Sequence, residues 1–303
     1  IVAYNTYGTT QKVHFHGRDL EDRQINKAQD NDTVWENMLN MYKRIDSNEV
    51  PNATIEVAFQ NQRVEITSDE EGYFQLTLVV KGNVAQLPDS QEVTFTLKSA
   101  PLPFEGTVQS KGKVFIPTQD ADYGIISDID DTIIETGATN ILTMAQNTFL
   151  KNAVSRMPFK DVDSFYTALQ KGRKGDKCNP FFYVSSSPWN FFDFMEDFME
   201  VNNLPQAPIL LRDYGIDQSK FLMGTHGKHK ITQISTILNT YPDMPFILVG
   251  DSGQEDASIY RQVAESFPDR ILAVYIRDVQ HETKRKEAQG NEIESEQEKA
   301  ENY

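Results

Sequence analysis

Cysteine is nearly missing: Cys178 is the one thiol in 303 residues. A lone thiol closes no internal disulfide, which fits a reducing compartment, and no cysteine-based zinc or redox motif is available. Long apolar runs are missing as well, since no stretch approaches the roughly 18 uncharged apolar residues that a spanning helix needs. Positive charge is scarce: 29 Lys and Arg stand against 45 Asp and Glu, a formal net charge of −16. That balance excludes broad electrostatic attraction to nucleic acid or to an anionic bilayer, so a polyanionic partner must be met by local cations. The N-terminal Ile1-Val2-Ala3-Tyr4 has neither the basic segment nor the apolar core of a leader, and the missing initiating Met leaves open that one was removed. A cytoplasmic protein is expected, with peripheral contact at a membrane surface left open. Oligomeric state is not legible.

What is present suits two packed cores rather than one. Up to about Thr118, apolar and polar residues alternate with period two in Lys12–His16, Ala53–Val57, 62–66, Phe74–Val79 and 93–97, as half-buried antiparallel strands do. Trp35, Met38, Leu39 and Tyr42 follow helical spacing behind Asn31-Asp32, so one helix interrupts the strands. Thr67 to Phe74 reads as a hairpin with Gly72 at its permissive position, and it resembles the turn of transthyretin-like or carboxypeptidase-regulatory sandwich modules. His14 and His16 share a strand face, which suits either a metal or an ordinary surface.

Beyond a Pro- and Gly-bearing stretch ending near Gln119 the texture changes. Near-continuous apolar runs at 123–129, 181–184, 209–211, 246–249 and 271–276 alternate with helical patterns, which implies a parallel sheet covered on both faces. The reading is therefore α/β: a mostly antiparallel β-sandwich with one helix at residues 1–119, then a doubly wound parallel-sheet domain at 120–279. A charged tail, 280–303, follows. About 137–179 is too long for a simple crossover and reads as a helical cap insertion, with an apolar stripe that suits either an acyl chain or packing.

Four polar clusters occur in order, three of them at or just beyond the ends of those strands. Asp128-Ile129-Asp130-Asp131-Thr132 delivers carboxylates two residues apart, one placed for nucleophilic attack and one for proton transfer. Ser185, with Ser186 and Ser187 behind it, follows the second strand, and Ser187-Pro188 looks like a helix cap with proline at the first turn. Lys228 and Lys230 open a helix; either can meet a phosphoryl oxygen, and Lys230 is favoured because it leads into the apolar stripe. Asp251 and Asp256 in Gly250–Asp256 complete a hard-oxygen site suited to Mg2+. Trp189 is placed at a pocket mouth. Arg212, after another strand end, suits either a substrate phosphate or a structural ion pair.

These residues resemble the four motifs of the haloacid dehalogenase superfamily of aspartate-nucleophile phosphotransferases, in their order. More of the chain, "ISDIDDTI", "FFYVSSSPW", "ILLRDYG", "HGKHK", "FILVGDSGQEDASIY" and "RILAVYIRDV", is similar to the catalytic domain of the actin-patch-associated phosphatidate phosphatases over about 123–279. The resemblance implies magnesium-dependent release of phosphate from phosphatidate, giving diacylglycerol. Asp128 would be the nucleophile, Asp130 the acid/base and Asp251 a magnesium ligand; the metal set expected is Asp128, Asp130, Asp251 and Asp256. Thr132, Ser185 and Lys230 complete the expected catalytic set, with Ser186, Trp189, Arg212 and Lys228 toward substrate. A phospholipid or a small soluble phosphomonoester is the partner to expect, and a non-catalytic phosphoacceptor or headgroup binder is the competing class. Ser186 stands where related sequences tend to carry asparagine.

Overall fold

The computed structural model describes residues 1–20, 48–82, 90–129, 132–133, 161–212, 225–253 and 255–279. The helix expected around Trp35 to Tyr42, Asp130, Asp131, the charged tail and the 137–160 part of the expected cap lie outside them.

Alternation builds the N-terminal half as expected. Strands β1 (Val2–Ala3), β3 (Lys12–Arg18) and β6 (Tyr73–Val79) form one sheet, in the order β1-β3-β6. The facing sheet joins β2 (Thr6–Tyr7), β4 (Thr54–Phe59), β5 (Gln62–Thr67), β7 (Gln91–Ser99) and β8 (Gln109–Phe115) in the order β2-β8-β7-β4-β5. Every pairing is antiparallel except β2 with β8. Inward residues Val13, Phe15, Ile55, Val57, Phe59, Phe74, Val93, Phe95 and Val114 close a dry core between the sheets. At the expected hairpin Gly72 has φ +76°, and a Cβ there would run into the Asp19 carbonyl. Asp69 secures the same turn by accepting the N–H groups of Glu71 and Tyr73, each at 2.9 Å.

The second half is one five-stranded sheet made of β9 (Gly124–Ser127), β10 (Phe181–Pro188), β11 (Ile209–Arg212), β12 (Phe246–Asp251) and β13 (Ile271–Arg277). All its pairings are parallel, and the order is β11-β10-β9-β12-β13. Alternate residues leave by opposite faces. Ile125, Phe181, Tyr183, Ile209, Leu211 and Val249 meet α1 (Val162–Lys171) and α2 (Phe192–Val201). Ile126, Phe182, Val184, Leu210, Phe246 and Leu248 meet α3 (Thr225–Thr240) and α4 (Asp256–Ser266). The earliest strand is central and the order reverses there, so a crevice opens at the carboxyl ends of β9 and β12.

Three details differ from the sequence reading. The 161–179 part of the expected cap holds α1, whose Tyr166 and Leu169 pack against the sheet, as a crossover helix does. Ser187 and Pro188 end β10, and Pro188 rather than Ser187 is the N-cap, with no side-chain hydrogen bond, of a short 3-10 turn at Trp189–Phe191 that leads into α2. The run Ile271–Ile276 reads as a doubly covered strand, yet Leu272 is 56% and Tyr275 45% exposed because β13 is the sheet's edge. Apolarity alone does not distinguish an edge from a centre.

The two halves are joined by more than the chain between them. Tyr4 stacks on Trp189 with centroids 4.1 Å apart, and the Tyr241 hydroxyl donates to the Gly8 carbonyl at 2.9 Å. The Asn5 side-chain amide donates to Glu196 Oε1 at 2.9 Å. No helix among the described residues is long and apolar enough to cross a membrane.

Candidate active site

The backbone brings the acidic strand ends together. The Asp128 N–H donates to the Val249 carbonyl at 2.9 Å, tying the residue after β9 to β12. Asp251 is the last residue of β12, and Asp256 opens α4, where a helix N-terminus favours negative charge. Gly250 makes that approach possible: a Cβ there would stand 2.5 Å from Asp256 Oδ2 and 2.7 Å from the Tyr260 ring. Any side chain at 250 would push the two aspartates apart.

Lys230, buried on α3, bridges two of the carboxylates. Its ammonium stands 2.8 Å from Asp128 Oδ1 and 2.6 Å from Asp256 Oδ1. Asp256 Oδ2 accepts the Asp251 N–H at 3.2 Å, and Asp251 Oδ1 accepts the Gly253 N–H at 2.6 Å. Thr132 Oγ1 lies 3.4 Å from Asp128 Oδ2 and 3.5 Å from Asp251 Oδ2, between the two carboxylates. Burial pulls the Lys230 ammonium toward neutrality, but Asp128 and Asp256 outweigh it and hold the pKa above its ordinary value. Lys230 is therefore a fixed positive charge.

Oxygens of Asp128, Asp251 and Asp256 lie within 4.8 Å of one another. Among the described residues, two of these three buried carboxylates hold the Lys230 ammonium, and the β12–β13 register sets Arg277 beside the third, Asp251. Carboxylates gathered this closely repel one another, and a cluster of hard oxygen donors fits a divalent cation. Asp256 holds Lys230 and the Asp251 backbone, whereas the Oδ2 atoms of Asp128 and Asp251 converge on Thr132 at 3.4 and 3.5 Å, which favours that pair as ligands.

Of the other sequence-chosen residues, Ser185 is fully buried and its Oγ accepts the Ser187 N–H at 2.9 Å. Ser186 is half-buried and Lys228 exposed. Trp189 and Arg212 line a cavity of about 610 Å3 between the sandwich and β11. Asp130 falls outside the described residues.

Two supports escaped sequence reasoning. The Ser127 hydroxyl donates to the Asp128 carbonyl at 2.7 Å and pairs with the Tyr166 hydroxyl at 2.6 Å. Tyr166 is fully buried, and desolvation holds its phenol protonated despite the Ser127 hydrogen bond. Tyr260, beneath β12, donates to the Val249 carbonyl at 2.9 Å. Both tyrosines sit at core-facing helical positions, and nothing in the sequence separates them from packing residues. Tyr166 lies 39 residues from Ser127, so spacing offered no signal.

Fold and site together define an α/β protein with a buried, cation-accepting acidic centre at the switch point of its parallel sheet. The family model of the phosphatidate phosphatase APP1 catalytic domain matches residues 123–278, and the chain belongs to that family. Phosphatidate phosphatase APP1 of Saccharomyces cerevisiae is 33% identical over 239 residues, 76% of this chain and 39% of the yeast protein. An uncharacterized protein of Schizosaccharomyces pombe is 28% identical over 167 residues, 54% of this chain and 26% of that one. The chain thus spans about two fifths or less of the relatives it matches. A carbohydrate acetylesterase structure from Xanthomonas citri aligns over 89% of this chain and 66% of its own, at 9% identity and a TM-score of 0.29, too low to carry an argument.

Proposed function

We propose that the chain is a magnesium-dependent phosphatidate phosphatase built on a haloacid dehalogenase-like doubly wound domain with a cap. The carrying observation is the buried trio Asp128, Asp251 and Asp256 around Lys230 at the sheet's switch point. Membership of the phosphatidate phosphatase family supports the substrate. Magnesium, when bound, would be held by Asp128 and Asp251 with Asp256 behind them, and would neutralise phosphoryl charge. The Asp130 share of that ligand set rests on the resemblance.

In this reading the Asp128 carboxylate attacks phosphorus, the bond from phosphorus to the glycerol oxygen breaks, and diacylglycerol leaves with a proton from Asp130. Water then attacks the phosphoaspartate, returning the proton to Asp130, the carboxylate to Asp128 and phosphate to solvent. Lys230 stabilises the transferring oxygens as a permanent cation, and Thr132 keeps the Asp128 carboxylate turned toward Asp251. Ser185 and Ser186, with Lys228 at the rim, complete the phosphate cradle. The enzyme acts in the cytoplasm, peripherally at a lipid surface.

The test is phosphate release from phosphatidate in detergent micelles against a panel of soluble phosphomonoesters. Turnover on phosphatidate, stopped by EDTA, restored by magnesium and abolished in Asp128→Asn, is expected. A fully active Asp128→Asn protein would sink the mechanism; preference for a soluble ester would replace the substrate.

A further inference from the structure

The cavity of about 610 Å3 between the two halves is chemically unlike the rest of the molecule. The chain carries 45 acidic residues, yet no carboxylate is among the described residues that line this space. One wall is the outer face of β3 and β6, where the register sets His14 beside Thr77 and His16 beside Gln75. The opposite wall is the free edge of β11, ending in Arg212, together with His229, Gln233 and Thr236 of α3. Those last three are spaced i, i+4, i+7 and share one face of the helix. The volume falls within the roughly 300–1,000 Å3 of small-molecule sites, which favour domain junctions.

The lining selects by charge. Burial holds His16 down to about 4, and burial with Lys12 holds His14 below its ordinary value, so both present neutral imidazoles near pH 7. Arg212 supplies the permanent cation, with a planar fork suited to phosphate or carboxylate oxygens. Hydroxyls and amides around it suit a hydroxylated body. A metal is not favoured, because the three histidines do not bring ring nitrogens within ligand spacing of one another.

We propose that this junction is a binding site for a small phosphorylated polyol, separate from the carboxylate centre. The two sites share α3: Lys230 reaches Asp128 and Asp256, while its neighbour His229 lines the cavity. An occupant would therefore touch the helix that carries the catalytic cation, through a face about 100° round from Lys230. The inference stands apart from the hydrolytic reading, since binding is measured without turnover.

The experiment is calorimetric titration of the whole chain, in EDTA, with glycerol 3-phosphate, inorganic phosphate and glycerol. Saturable binding of glycerol 3-phosphate is expected, with phosphate weaker and glycerol silent. Gln233→Glu, which sets a carboxylate on the half-buried wall without emptying the core, weakens binding at least tenfold, whereas Gln233→Lys keeps or tightens it. Asp128→Asn leaves it unchanged. Short-chain phosphatidate in parallel separates the sources: equal, Gln233→Glu-sensitive binding assigns a lipid headgroup, and its failure assigns a free metabolite. No saturable binding, indifference to the charge at 233, or loss in Asp128→Asn each overturns the site. Thermal unfolding of the two Gln233 variants, expected within a few degrees of the parent, keeps the comparison one of binding.

Discussion

Among the described residues, each half of the molecule buries one cation, and the two are treated differently. Arg18 in the sandwich is 2.8 Å from Glu49, donates to the Glu71 carbonyl at 2.9 Å and lies 4.3 Å over the Tyr73 ring. Its carboxylate partner is 40% exposed, so water shares the cost and the charges balance. Lys230 faces Asp128 and Asp256, exposed by 1% and 0%, with buried Asp251 beside them. There three carboxylates crowd together, with oxygens within 4.8 Å of one another. A structural ion pair needs one partner on each side, whereas a cluster of buried carboxylates is maintained against its own repulsion and suits a cation held between its members. That difference separates scaffold from site without reference to any relative.

Replacing each cation sharpens the contrast most. Lys230→Met should lower turnover by about a thousandfold or more. The metal-free protein should lose about 3–5 kcal/mol in urea titration, because Asp128 and Asp256 lose their buried counter-charge. Arg18→Met should cost only about 1–2 kcal/mol, since Glu49 can return to water, and leave turnover within twofold. The reverse ranking would mean that the cluster is structural.

The next effect comes from filling the cluster. Magnesium at a hundredfold excess over its Kd should raise stability by about 2.7 kcal/mol. Asp256→Asn removes one of the clustered charges while Asp128 still pairs with Lys230, so the metal-free protein should lose less stability than Lys230→Met does. Turnover should still fall about a hundredfold, because Lys230 then loses one of its two anchors. Paired melting curves with and without magnesium read both effects. A variant that gains as much from magnesium as the parent would place Asp256 outside the cation's field.

Much of this contrast was legible beforehand. Period-two alternation placed β3, β4, β5, β6 and β7 within a few residues, because a half-buried strand writes its two faces into the sequence. Asp128 and Asp251 were legible because polar residues that end an apolar run have little structural reason to be there, and Lys230 because it leads into the apolar stripe of its helix. What the alphabet does not write is partnership. It could not say that Asp256 would be held by Lys230 and the Asp251 backbone, or that Tyr166 would brace Ser127 across 39 residues. Nor did it show that Trp189 and Arg212 would face the junction beside His16, because that cavity exists only once two independently patterned halves are docked.

His16 tests the docked junction with the smallest effect. Its ring meets the edge of Trp189 at 4.5 Å and lies 5.8 Å from Tyr73, so both halves contact it. Burial depresses its pKa from 6.5 to about 4. The unfolded chain therefore takes up a proton near pH 6.5 that the folded chain refuses until about pH 4. The neutral imidazole's share of stability is complete above about pH 6.5 and lost progressively as pH falls through that window, to a limit of about 1–3 kcal/mol. Carboxylates titrate in the lower part of the same range, so the quantity to read is a difference in slope. His16→Phe keeps an aromatic ring against Trp189 and removes the proton site. Urea midpoints measured from about pH 7 to pH 4 should decline less steeply for His16→Phe than for the parent. Parallel slopes would mean that water reaches the ring and that the junction is looser than its packing distances indicate.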